Sequence, residues 1–514
     1  MKIEKPAFDS SARVLAQAVA RGEISALEAT EAAIARIEAV NPKLNAVVLK
    51  RYDQARQEAR ALDARRARGE PLGPLAGVPV TVKECLDLAG TPSTFGLPSR
   101  AGHRATADEA HVARLRKAGA VVLGKTNVAQ MLAYIESDNP VYGRTLNPWN
   151  PERTCGGSSG GEGAILGAHG PLLGLGTDIG GSLRYPAAFC GATSMKPTAG
   201  RCPDPGRFSF HPGQQAIPSQ VGVLARHVDD LALGLKVING GPPLAHWREV
   251  DVTQLRVGYY LEDGILASSP AVRRAVKEAA DALAQAGAHV TPWQPHDVQS
   301  AFRLGTGVLF GDGARWFRES LRGGAVHPSL APLLAIAGRP GGLLRGAAWL
   351  LGRLGQAYMS RVLPSFARKD VYGYWNLVEE LRDYRERFAR AMHETPGGPL
   401  DVVLGPVCSL AAFRHGATKD LGLAGANTIL YNVLGYPAGV VPWTRVGSGE
   451  ESDRPASADA VEKAARHCEL GSTGLPVAVQ VAARPWQEHV ALAVMQRLED
   501  AARARPGYQA RPPL

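Results

Sequence analysis

The stretch GTDIGGSLRYPAAFCGATSMKPT, Gly176 to Thr198, places two glycines directly before a serine. Residues without side chains let backbone N–H groups approach a ligand closely. Such donors hold the oxyanion of a tetrahedral intermediate in acyl transfer. Ser182 therefore has an oxyanion site supplied by its own loop.

Upstream, CGGSSGGE (Cys155 to Glu162) fits the pattern G-x-S-x-G twice, around Ser158 and around Ser159. A nucleophile elbow of that pattern should follow an apolar strand. The residues ahead of it, TLNPWNPERTC, are Pro-rich and polar, so no strand feeds the turn. The later histidines His289, His327, His415 and His489 sit in no context that marks a base. A serine nucleophile still needs one, and lysine is the remaining candidate. Burial lowers a lysine pKa from ~10.4 by several units. Lys83 ends the β-type run VPVTV, which places it at the edge of an interior strand.

A third match, Gly119 to Thr126 (GAVVLGKT), fits the P-loop expression. Its four middle residues favour an extended strand, and a helix precedes it, so a phosphate-cradling bend is not expected.

Composition narrows the function classes. The chain has 514 residues, 45% hydrophobic and 21% charged, which is a globular composition. Its net charge of +10 is spread out, with no basic block interleaved with aromatics, so no nucleic-acid partner is expected. The six cysteines are scattered without metal-ligand spacing and read as reduced thiols. The first residues lack the apolar core of a signal peptide, and no run of ~20 apolar residues exists. A cytoplasmic location is expected.

Periodicity predicts a helix over Ser10 to Val40, ended by NPKLNAV, and a second over Tyr52 to Gly69. Strands are expected at VPVTV, at AVVLGKTN and, as interior strands, at Leu400–Val407, Tyr436–Trp443 and Leu475–Ala483. A helix from Trp486 to Ala504 closes the chain, and Gly447 to Ala460 reads as a surface loop. The organisation is one α/β domain over 1–514. It has N-terminal helices in 1–70, a core over 71–240 carrying Lys83, Ser158 and Ser182, and a helical insertion over 300–390.

Taken together, Lys83, GGSSGGEGA and GTDIGGSLRYPAAFCGATSMKPT resemble the amidase signature family of Ser-cisSer-Lys amide hydrolases. The resemblance runs from GPLAGVPVTVKEC to GLPVAVQVAARPWQE. It implies an α/β fold with a large mixed, twisted β-sheet sandwiched by helices, and chemistry without metal or organic cofactor. It also implies that Ser182 is the nucleophile, Lys83 the base, and Ser158, after a cis peptide bond, the proton bridge between them. The N–H groups of Ile179, Gly180, Gly181 and Ser182 would form the oxyanion hole. Ser159, Asp178 and Arg184 would support the loop structurally.

Within the family, VKEC, TNVAQ and LYNVLGYPAGVVPW look most like the fatty acid amide hydrolase branch. That implies fatty acid primary amides or N-acylethanolamines as substrates. A broad aryl or short-chain acylamidase and the glutaminase subunit of a tRNA amidotransferase remain the alternatives. Leu132 and Ile135 either line an acyl pocket or pack in the core. The apolar segment Leu333 to Leu363, with Arg339, Arg345, Arg353 and Arg361, is either a cap that docks peripherally on the inner face of the membrane or a lid with snorkelling arginines. A homodimer is the expected assembly.

Overall fold

The computed structural model describes residues 11–203, 211–505 and 512–514. Among them, eleven strands form one mixed sheet: β1 (Val47–Lys50), β2 (Pro79–Lys83), β3 (Val121–Thr126), β4 (Leu173–Asp178), β5 (Thr193–Lys196), β6 (Gln220–Ala225), β7 (Arg256–Tyr259), β8 (His289–Pro292), β9 (Val402–Pro406), β10 (Ala438–Arg445) and β11 (Pro476–Ala483). Their order across the sheet is β1-β3-β2-β4-β6-β5-β10-β11-β9-β7-β8. Parallel pairs lie towards the two ends, β3-β2-β4 and β9-β7-β8, and antiparallel pairs fill the middle. Helices flank the sheet. Strands β2, β3, β9 and β11 are buried along their whole length, which fits their largely apolar sequences.

The GAVVLGKT segment is strand, as its apolar centre dictates: β3 is fully buried, and Lys125 donates to Ser93 Oγ at 2.9 Å. The glycines of β4 serve close approach. A Cβ on Gly174 would lie 2.0 Å from Glu162 Oε2, and one on Gly176 2.8 Å from Ser159 Oγ. The strand is thus notched to receive the start of the helix Gly160–Gly167.

The N-terminal region departs from expectation. It holds two helices, Ala12–Arg21 and Ala26–Leu44, and the expected start at Ser10 lies outside the described residues. Gly22 takes φ 76 and caps the first helix. Ser25 and Glu28 then form a reciprocal capping box that starts the second. The periodicity is continuous through Gly22-Glu23-Ile24-Ser25, so apolar spacing hides the break. Pro42 does not end the second helix, which stops at left-handed Asn45.

The insertion comprises the helices Val298–Leu309, Arg315–Ser320, Ala331–Ile336, Gly341–Arg353, Ala357–Val362 and Val371–His393. Its internal glycines leave Gly341–Arg353 a regular helix of 13 residues. Leu344 and Ala348 on that helix pack with Leu363 and Ala367 in a small core of their own. Leu343, Trp349, Leu350 and Leu354 point outwards, as do Arg339, Arg345, Arg353 and Arg361. All six cysteines are free and buried.

Candidate active site

Lys83 is the last residue of β2, and Asp178 the last of its parallel neighbour β4. The carboxyl ends of the two strands therefore meet at one edge, where α/β sheets characteristically hold ligands. Beyond β4 the chain turns through Ile179–Ser182 into the helix Arg184–Cys190. This strand–turn–helix is the setting that a nucleophile elbow needs. The approach to Ser158 lacks it, with only isolated bridges at Leu146 and Thr154.

Lys83 is fully buried, and its Nζ donates to Ser158 Oγ at 2.7 Å and to Thr177 Oγ1 at 2.8 Å. The Gly157–Ser158 peptide bond is cis. Ser159 ties the two serine loops together: its N–H donates to Ser182 O at 3.3 Å, and its hydroxyl to Thr177 O at 3.4 Å.

Asp178 and Arg184 are both 0% exposed. The Asp178 carboxylate accepts from the N–H of Gly181 (2.9 Å) and from that of Leu183 (3.1 Å), the residues on either side of Ser182. Arg184 donates to both carboxylate oxygens, at 3.0 and 2.9 Å. The guanidinium also reaches Thr428 O, Gln480 Oε1 and Asn432 Oδ1, so helix Ala426–Val433 and strand β11 fix it. Burial alone would raise the Asp178 pKa. The Arg184 charge and hydrogen bonds outweigh it and hold the carboxyl well below its usual range. Lys196, buried nearby, is pushed down to about 7 by burial and by the Arg184 charge.

The four N–H groups expected to face an oxyanion are not equivalent. That of Gly181 is already donated to Asp178. Among the described residues, no acceptor takes the N–H of Ile179, Gly180 or Ser182. Gly181, at φ 119, also faces Tyr185 and Thr428 so closely that a Cβ would meet their side chains at 2.4 and 2.5 Å. Thr428 Oγ1 donates to Gly180 O at 3.0 Å and steadies the turn from outside.

Ser182 is half-buried at the floor of a cavity of about 270 Å³, beside Ile179 and Gly180. Leu132 and Ile135 line it. The insertion covers it with Phe302, Phe310, Leu333, Ile336, Met359 and Phe366, while Thr418, Lys419 and Asp420 give it a polar margin. Lys83 and Ser158 do not line the cavity, but Gly157, the neighbour of Ser158, does. Among the described residues, no group of three His, Cys, Asp or Glu side chains is placed to hold a metal.

Thr177 escaped the sequence reading, although it lies inside the GTDIGGS stretch beside Asp178. Thr428, Asn432 and Gln480 carry no local signal, because remote elements bring them to the loop.

A family model described as Amidase matches residues 28–492. The chain belongs to the amidase signature family. This amidase is 38% identical over 451 residues to the fatty-acid amide hydrolase 1 of Sus scrofa, covering 83% of this chain and 76% of that one. It is 33% identical over 515 residues to an acetamidase of Emericella nidulans, covering 95% and 88%. A solved fatty acid amide hydrolase structure superposes with a TM-score of 0.81 at 25% identity, covering 96% of this chain and 85% of that one. The amidase is thus an amide hydrolase built on the amidase signature fold. No helix among its described residues is long and apolar enough to cross a membrane.

Proposed function

We propose that this amidase hydrolyses amides of long acyl chains, fatty acid primary amides or N-acylethanolamines, through an acyl-enzyme on Ser182. The observation that carries the reading is the cavity: apolar side chains of the insertion line it, and Ser182 stands at its floor. An acyl chain laid against Phe302, Leu333 and Ile336 brings its carbonyl to Ser182 Oγ.

Ser182 Oγ attacks that carbonyl. Its proton passes to Ser158 as Ser158 gives its own to an uncharged Lys83 amine, along the 2.7 Å contact. The oxyanion that forms is held by the free N–H groups of Ile179, Gly180 and Ser182. Lys83 returns the proton through Ser158 to the leaving nitrogen, and amine or ammonia departs. Water, deprotonated by the same relay, then attacks the acyl-enzyme and frees the acid and Ser182.

The exposed apolar residues Leu343, Trp349, Leu350, Leu354, Val371, Tyr372 and Trp375 on the insertion support peripheral docking on a membrane. The deciding experiment is turnover of primary amides with graded acyl length at equal concentration. Rising kcat/KM from acetamide to long-chain amides is the expected result. A preference for acetamide or anilides replaces the lipid reading with a short-chain or aryl acylamidase.

A further inference from the structure

Glu162 is a buried carboxyl that the reaction above does not use. It is 0% exposed and lies in the first turn of the helix Gly160–Gly167, which follows the bridging serine. Its side chain crosses into the sheet. Thr81 Oγ1 on β2 contacts Oε2 at 2.7 Å, and Thr126 Oγ1 on β3 contacts Oε1 at 2.9 Å. Gly174 on β4 is the third wall of the slot, where any side chain would collide with the carboxyl.

Each contact leads back to the base. Thr81 and Lys83 are two apart on β2 and share a face, and Thr126 is the register partner of Lys83. The carboxyl thus joins the helix that presents Ser158 to the two strands that present Lys83. Both carboxyl oxygens are met by threonine hydroxyls.

We propose that Glu162 is a positioning residue for the base: its un-ionised carboxyl sets the separation of Lys83 and Ser158 without giving Lys83 a counter-charge. The slot accommodates that form, for a protonated Oε1 can donate to Thr126 Oγ1, whose own hydroxyl hydrogen turns towards Val82 O at 3.5 Å. Burial pushes the Glu162 carboxyl up to about 8, against the Thr81 and Thr126 hydrogen bonds and the Lys83 charge. Lys83 is the titratable group that faces it from β2, while β3 and β4 present Thr126 and Gly174, which do not titrate. An ionised Glu162 in the same place would favour the ammonium form of Lys83 and oppose its work as a base.

This inference rests on the Ser182–Ser158–Lys83 reading, so its test has one arm that is independent of turnover. In infrared difference spectra of wild type against Glu162→Gln at pH 7, the carbonyl band of a protonated carboxyl is expected, and a carboxylate band overturns the proposal. In the kinetic arm, Glu162→Ala lowers kcat by roughly 30- to 100-fold with KM little changed, because a small misplacement of catalytic groups is costly. Glu162→Gln recovers most of that loss, to within about fivefold of wild type, with the acid limb of the kcat/KM profile in place. A downward shift of that limb by a unit or more in Glu162→Gln shows that Glu162 was an anionic counter-ion, and the proposal fails. If Lys83→Ala keeps wild-type rates, it is the relay that fails, while the infrared result still decides the state of Glu162.

Discussion

In the floor built around Ser182, Lys83, Ser158, Ser159, Asp178 and Arg184 are each at most 1% exposed, and each is fixed by hydrogen bonds from several elements. In the insertion that covers the cavity, the helix Gly341–Arg353 leaves Leu343 58%, Trp349 69% and Leu350 52% exposed and packs through a core of four buried residues. The floor is over-determined and the roof is lightly held. Chemistry needs reacting groups held to fractions of an ångström. A roof that admits a long flexible chain needs apolar surface and freedom to shift. On the proposed function, the difference predicts that one region governs rate and the other substrate choice.

The sharpest test of that division is at the floor. Ser182→Ala should lower kcat/KM by roughly 10⁴- to 10⁶-fold for every acyl length alike and abolish labelling by a fluorophosphonate probe. Length-dependent loss would mean that the floor also selects substrate. Lys83→Ala follows, with a loss of roughly 10²- to 10⁴-fold at neutral pH, read from pH–rate profiles. A near-wild-type profile there would assign the base to another group.

Asp178→Asn probes how far the floor depends on one buried charge. It strands Arg184 without its counter-ion, and chemical denaturation should report a loss of about 3–5 kcal/mol. The folded-state pKa of Asp178 is depressed, so its contribution is present above the unfolded value of ~3.9 and is lost as pH falls through the folded one. The wild type should therefore shed stability in acid below about pH 4 more steeply than Asp178→Asn.

The roof predicts smaller and more selective effects. Ile336→Trp, which narrows the cavity that Ile336 lines, should cost about 10-fold in kcat/KM for long-chain amides and little for acetamide, since apolar pockets discriminate modestly. Leu350→Ser with Leu354→Ser should weaken sedimentation with anionic vesicles by roughly fivefold and leave turnover of a water-soluble amide unchanged. If the wild type does not sediment with vesicles at all, membrane docking is withdrawn and the roof is a lid.

Legibility in the sequence divided along the same line. Lys83, Ser158 and Ser182 stand in contiguous glycine-rich or strand-ending motifs, because close backbone approach demands glycine at fixed offsets. β3 declared itself through Ala, Val, Val and Leu despite its P-loop disguise. Thr177 went unread because a strand threonine looks like β-propensity and not like a partner for a lysine. Thr428, Asn432 and Gln480 were invisible because a network of single polar side chains from distant elements leaves no local pattern. The break at Gly22 was hidden by periodicity that runs on through it, although Ser25 and Glu28 spelled out a capping box. The roof was legible only as apolar and helical, since which face of a helix turns outward depends on what it packs against.

The six buried cysteines bear on how this enzyme meets covalent reagents. Burial pushes Cys202 and Cys408 up to about 12 and raises Cys155, Cys190 and Cys468 as well, so these thiols do not ionise at neutral pH. The thiolate is the nucleophilic form of cysteine. A carbamate or fluorophosphonate offered to the folded chain thus meets no thiolate at these five positions, and on the proposed mechanism its occupancy reads out the hydroxyl of Ser182.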